Sequence, residues 1–88
     1  MERELIRAGR ALLGWSQDDL AQHSGVSRQI IARFENGQRQ PHSANLEKLV
    51  AALRAAGVTE VRRKDGSAGV IASADALRMA RAAGSDSA

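Results

Sequence analysis

Arg28, Gln29 and Arg33 are the side chains of this chain best suited to chemistry with a ligand. They lie inside the segment Ser16 to Pro41, SQDDLAQHSGVSRQIIARFENGQRQP. At offsets of one and five they share one helical face, opposite Ile31 and Phe34. A guanidinium can donate two hydrogen bonds to guanine, and a glutamine amide can pair in bidentate fashion with adenine. The chemistry within reach is recognition of base edges in a DNA groove. Guanine is then expected opposite Arg28 or Arg33, and adenine opposite Gln29. The same residue types also make ordinary solvated surface, so their meaning depends on what holds the helix.

The elements that must hold it are legible around them. Ser27 is placed to cap a helix running to about Asn36, with Ile30, Ile31 and Phe34 as its buried side. Asn36-Gly37 is the stop. Before it, Ser16 is placed to cap a short helix whose first turn carries Asp18 and Asp19, which the helix dipole favours. Leu20 and Ala21 face inward. Two helices meeting at a steep angle need a small residue at the close approach and a residue free to take positive φ at the corner. Ala21 and Gly25 supply them. Leu20, Val26, Ile31 and Phe34 then share a core.

The flanks complete a small domain. Glu2 to Leu13 carries Leu5, Ile6, Leu12 and Leu13 on one wide stripe, and Gly14 ends that helix. After a polar connector holding Pro41, Ser43 or Asn45 is expected to cap a fourth helix to about Ala56. Its inward stripe is Leu46, Leu49, Val50 and Leu53. Val58 to Arg63 and Ala68 to Ala72 flank Lys64-Asp65-Gly66-Ser67, a hairpin signal. Ser73 to Ala83 reads as a final Ala-rich helix with Leu77, and Met79 or Ala80, turned inward. Gly84 to Ala88 reads as a flexible tail.

Composition agrees with one domain and one core: 88 residues, 43% hydrophobic, no cysteine. Without cysteine there is no disulfide and no thiolate metal site. The residues after Met1 are charged, so neither a signal peptide nor a membrane span is expected. The net charge is +3, and its distribution matters more. Residues 1 to 23 hold three basic and four acidic side chains, residues 24 to 63 seven and three, and residues 64 to 88 three and three. The positive excess therefore sits on the third helix and on the chain from there to Arg63, where phosphates would be attracted.

Arg10 to Leu53 resembles the helix-turn-helix domain of phage repressors and Cro, also called the Xre family. The resemblance rests on R-A-L-L-G-W-S-Q (Arg10 to Gln17), L-A (Leu20-Ala21), G-V-S (Gly25 to Ser27), F-E-N-G (Phe34 to Gly37), Pro41 and N-L-E-K-L-V-A-A-L (Asn45 to Leu53). It implies four or five helices, dimeric binding to a double-stranded operator, and the third helix as the recognition helix. Carried over by position, Gln17 contacts a phosphate, and Arg28, Gln29 and Arg33 meet base edges. Ser27 reaches phosphate or base, while Asn36, Gln38 and Arg39 lie along the DNA backbone. Arg10 and Glu35 form an ion pair between the first helix and the end of the recognition helix. Trp15 caps the helix junction rather than stacking on a base.

Other chemistries are not expected. His23 and His42 lack ligand spacing, so no metal is assigned. No nucleophile elbow surrounds Ser, His and Asp, so no catalytic residue and no enzyme is assigned. The glycines do not form a phosphate loop, and no cofactor is assigned.

The expected fold is mainly α: a four- to five-helix repressor-like helix-turn-helix domain with a short C-terminal β-hairpin and a final helix. Residues 1–57 form the DNA-binding part, residues 58–83 an extension and candidate dimerisation segment, and residues 84–88 a tail. Val58, Val61, Val70, Ile71, Leu77 and Met79 exceed what a lone hairpin can bury. They either pack back on their own domain or close a homodimer. The expected function is a cytoplasmic, nucleoid-associated transcriptional regulator, a repressor acting as a homodimer on an inverted repeat. The alternatives are an antitoxin with a toxin partner, and a protein-interaction module that does not read DNA.

Overall fold

The computed structural model describes residues 1–85. Five helices and one hairpin succeed one another along the chain: α1 (Arg3–Leu13), α2 (Gln17–Ser24), α3 (Arg28–Glu35), α4 (Ser43–Ala55), β1 (Val58–Arg62), β2 (Ala68–Ala72) and α5 (Ala74–Ser85). This is the mainly helical fold with a C-terminal hairpin and final helix that the sequence leads one to expect.

Local chemistry sets the corner between α2 and α3. Ser16 Oγ accepts the Asp19 N–H at 3.0 Å, and the Asp19 carboxylate accepts the Ser16 N–H at 2.8 Å, a reciprocal cap on α2. Ser27 Oγ accepts the Ile30 N–H at 3.2 Å and starts α3. Each cap is worth about 1 kcal/mol. Gly25 takes φ 78°, a region that costs a residue with a Cβ. Ser24 Oγ accepts the Val26 N–H at 3.1 Å, so its hydroxyl supports the turn.

α4 departs from expectation at its start. His42 is the N-cap, without a side-chain cap bond, and Ser43 is already helical. The Leu46 N–H bonds to the His42 carbonyl at 3.0 Å. Burial of Leu49, Ala52 and Leu53 sets the phase of this helix, and cap chemistry gives way to it.

One core runs through the whole fold. Ile6, Leu20, Ile31, Leu49 and Leu53 are fully buried, with Leu13, Val26 and Phe34 beside them. Burying side chains of this size contributes roughly 1.5–3 kcal/mol each. The same cluster takes in Val58 from β1 and Ala76 from α5. The extension beyond residue 57 therefore shares the core of the first four helices.

The hairpin pairs Val58 with Ala72, Glu60 with Val70 and Arg62 with Ala68. Its inner face, with Val58 buried and Val70 half-buried, lies against the domain, with β2 on α1 and β1 on α4. Its outer face leaves Val61 and Ile71 exposed. α5 packs on α1 through Ala76, with Leu77 half-buried. Of the two alternatives for the next inward position, Ala80 is half-buried and Met79 is 74% exposed. Ser73 Oγ accepts the Ala76 N–H at 3.1 Å, which phases α5 so that Ala76 meets the core. Gly84 and Ser85, read as tail, belong to α5. The remainder of the expected tail, 86–88, lies outside the described residues.

Candidate nucleic-acid interface

α3 presents two chemically different sides. Ile31, Phe34 and Glu35 are buried. Arg28, Gln29 and Arg33 are exposed together on the other side, as their spacing requires. The helix is short, eight residues, so tertiary contacts must fix it.

The strongest of these contacts is ionic. Arg10, in the last turn of α1, donates Nε–H to Glu35 Oε2 at 2.7 Å and Nη2–H to Oε1 at 2.6 Å. Its Nη1–H reaches the Trp15 carbonyl at 2.9 Å. The Arg10 side chain is 19% exposed and that of Glu35 3%. The paired carboxylate holds the Arg10 guanidinium above its ordinary pKa. A buried carboxylate in the last turn of a helix sits at the wrong end of the dipole, and Arg10 compensates it. One two-toothed contact therefore joins α1, the α1–α2 corner and the end of α3.

Gln17 also belongs to this network. Its Nε2–H donates to Glu35 Oε1 at 3.2 Å, so this amide faces the ion pair. The resemblance to the repressor and Cro domain implies a phosphate contact for Gln17. In the structure one amide proton is engaged inward, and what remains for a phosphate is the rest of the amide and the start of α2.

Arg28 has a partner that the sequence reading did not pair with it. Its Nε lies 3.4 Å from Asp18 Oδ1, and both side chains are exposed. Asp19 is occupied by the cap, which leaves Asp18 as the free carboxylate of that turn. The order S-Q-D-D carries the signal, because only one of two adjacent carboxylates can close the cap. Gln29 and Arg33 are exposed beside this pair.

The remaining candidates lie around the same side. Ser27 is exposed, and its oxygen already accepts from Ile30, leaving its O–H to donate. Asn36, Gln38 and Arg39 are exposed on the turn after α3. Gly37 takes φ 76° there, and a Cβ on it would collide with the Arg3 guanidinium. Arg3 thus lies against this turn, an additional cation beside Arg39 that the sequence did not single out. Trp15 is half-buried against the core and stacks on His23, with ring centroids 4.1 Å apart. Its stacking face is therefore used within the protein. Among the described residues no cluster of three or more His, Cys, Asp or Glu could hold a metal. No helix there is long and apolar enough to cross a membrane.

Comparison with known proteins agrees with this geometry. The helix-turn-helix family matches residues 6–58. Three relatives are each named an uncharacterized HTH-type transcriptional regulator. The one from Haemophilus influenzae is 47% identical over 51 residues, covering 58% of this chain and 51% of the relative. That from Archaeoglobus fulgidus is 42% identical over 50 residues, covering 57% and 22%. That from Methanothermobacter thermautotrophicus is 39% identical over 51 residues, covering 58% and 74%. The chain belongs to the helix-turn-helix family of the Cro/C1 type. The match spans about half or less of two of these relatives, and it stops short of β2 and α5.

Proposed function

We propose that this chain binds double-stranded DNA sequence-specifically and regulates transcription, acting as a repressor on an inverted-repeat operator as a homodimer. Arg28, Gln29 and Arg33 enter the major groove on α3 and meet base edges. Gln17, Ser27, Asn36, Gln38 and Arg39 contact the phosphate backbone and set the register. The place of action is the cytoplasm, at the nucleoid. The observation that carries this reading is the sidedness of α3: three long polar side chains outward, with Ile31, Phe34 and the Arg10-paired Glu35 inward.

The relatives' names support regulation of transcription, and the positive excess of residues 24 to 63 supports a polyanionic partner. No enzymatic step is required of any residue. Selection on a pool of random duplex DNA, with sequencing of the bound fraction, tests the proposal. The expected result is an enriched inverted repeat with half-sites about one helical turn apart. Recovery without an enriched motif would overturn it in favour of a protein-interaction module.

A further inference from the structure

The homodimer in that reading needs a surface to form on, and the hairpin offers one. Its two edges differ. β1 carries Glu60 and Arg62, with Arg62 bonded to both Glu60 and Glu2. Charges of this kind blunt an edge against pairing. β2 reads Ala68-Gly69-Val70-Ile71-Ala72, with neither a charge nor a proline. α5 leaves the sheet after Ser73 and packs on α1.

The bonding pattern says which groups the β2 edge offers. Ser73 N–H bonds to the Gly57 carbonyl at 2.8 Å, and Arg63 N–H to the Ser67 carbonyl at 2.8 Å. Bonded pairs alternate along an antiparallel ladder. Thr59 with Ile71 and Val61 with Gly69 are therefore the bonded pairs inside the hairpin. The N–H and C=O groups of Ala68, Val70 and Ala72 then point away from β1, along the free edge of this two-stranded sheet.

We infer that β2 pairs antiparallel with β2 of a second copy of this chain, about a two-fold axis at Val70, to make a four-stranded sheet. Centring on Val70 lets every residue of β2 find a partner, whereas a shift either way leaves residues unpaired. Val70 then exchanges bonds with its counterpart, and Ala68 with the second copy's Ala72. On the outer face Ile71 falls opposite the second copy's Gly69. Ile71 is 57% exposed, and nothing lies within 4 Å of where a Gly69 Cβ would stand. A shallow groove of about 360 Å³ here is lined by Val61, Gly69, Val70 and Ile71 along its apolar part and by Arg63, Ser67 and Ala68 toward the turn. The isoleucine of each copy fills the groove of the other, beside Val61.

This arrangement deepens the homodimer part of the proposed function and makes no use of DNA, so its failure and that of the DNA reading are separable.

Light scattering on the full chain without DNA, at high micromolar concentration, tests the assembly. The expected mass is twice the 9.4 kDa of one chain. Ile71→Lys should halve it while leaving the circular dichroism spectrum unchanged. The double variant Gly69→Cys with Ile71→Cys should give a covalent dimer under mild oxidant, since opposed non-bonded residues stand within disulfide reach. A monomeric parent protein would overturn the inference. So would a dimer that survives Ile71→Lys and does not crosslink through residues 69 and 71, because the second copy would then sit elsewhere.

Discussion

The exposed side of α2 and α3 and the exposed side of the hairpin carry opposite chemistry on one core. The first shows Arg28, Gln29 and Arg33, fixed from beneath by the bidentate Arg10–Glu35 pair. The second shows Val61 and Ile71, fixed from beneath by Val58 and Val70. Long cations meet a hydrated anion without prior loss of apolar contacts. Bare β-branched residues next to unpaired strand groups gain most from another strand. On the proposed reading, the contrast separates the surface that binds DNA from the surface that assembles.

The largest way to break that contrast is through the ion pair. Arg10→Met leaves Glu35 buried without its partner, and removing one member of a buried pair costs about 3–5 kcal/mol. Since about 1 kcal/mol shifts a domain of this size by roughly 4–8 °C, the melting midpoint should fall by more than about 10 °C. Thermal denaturation monitored by circular dichroism measures this. A variant that melts like the parent would show that α3 is held by its apolar side alone.

Arg33→Ala comes next. Losing a bidentate base contact costs roughly 1–3 kcal/mol of discrimination, about 5- to 150-fold. Binding to the selected site should weaken by that factor, and binding to random duplex much less. Equal losses on both would move Arg33 to the phosphate group of contacts. The melting curve should not change, because Arg33 is exposed.

The recognition half was more legible in the sequence than the hairpin half, for physical reasons. Ser16, Gly25 and Ser27 act through bonds to residues three or four positions away, so local pattern reveals them. The side of α3 on which Arg28, Gln29 and Arg33 stand is set by helix period. The hairpin's place is legible from Asp65-Gly66, but not its register: Arg63 pairs with Ser67 around a three-residue loop, one residue away from what a two-residue Asp-Gly turn would give. Hidden were contacts between distant residues: Gln17 with Glu35, Asp18 with Arg28, and Arg3 against Gly37. The start of α4 was misread for the same reason, since packing against the core overrode the local signal at Ser43. On α5 the core chose Ala80 over Met79 between the two inward candidates.

Asp18→Asn sharpens the recognition side with a smaller effect. An exposed ion pair contributes about 0.2–1 kcal/mol, so stability should hardly move. Removing a negative charge near phosphates should tighten binding to random DNA. It also frees Arg28 from its 3.4 Å contact, so preference for the base opposite Arg28 should relax. Opposite signs on random and selected DNA would identify Asp18 as the residue that orients Arg28. Unchanged base preference in a repeated selection would show that the two side chains act independently.

Asp65→Ala probes the hairpin side and has the smallest expected effect. The Asp65 carboxylate accepts the Ser67 hydroxyl and N–H at 2.6 and 2.9 Å, which holds its pKa below the ordinary value. A lowered folded-state pKa stabilises the turn above the unfolded value and loses that contribution as pH falls through the folded one. The variant should therefore melt slightly below the parent at neutral pH, and the gap should close as pH drops below about 4. A gap that is constant with pH would mean that the Ser67 bonds add nothing through the carboxylate's charge. DNA binding measured at neutral pH should match the parent, because the turn lies away from the proposed base contacts on α3.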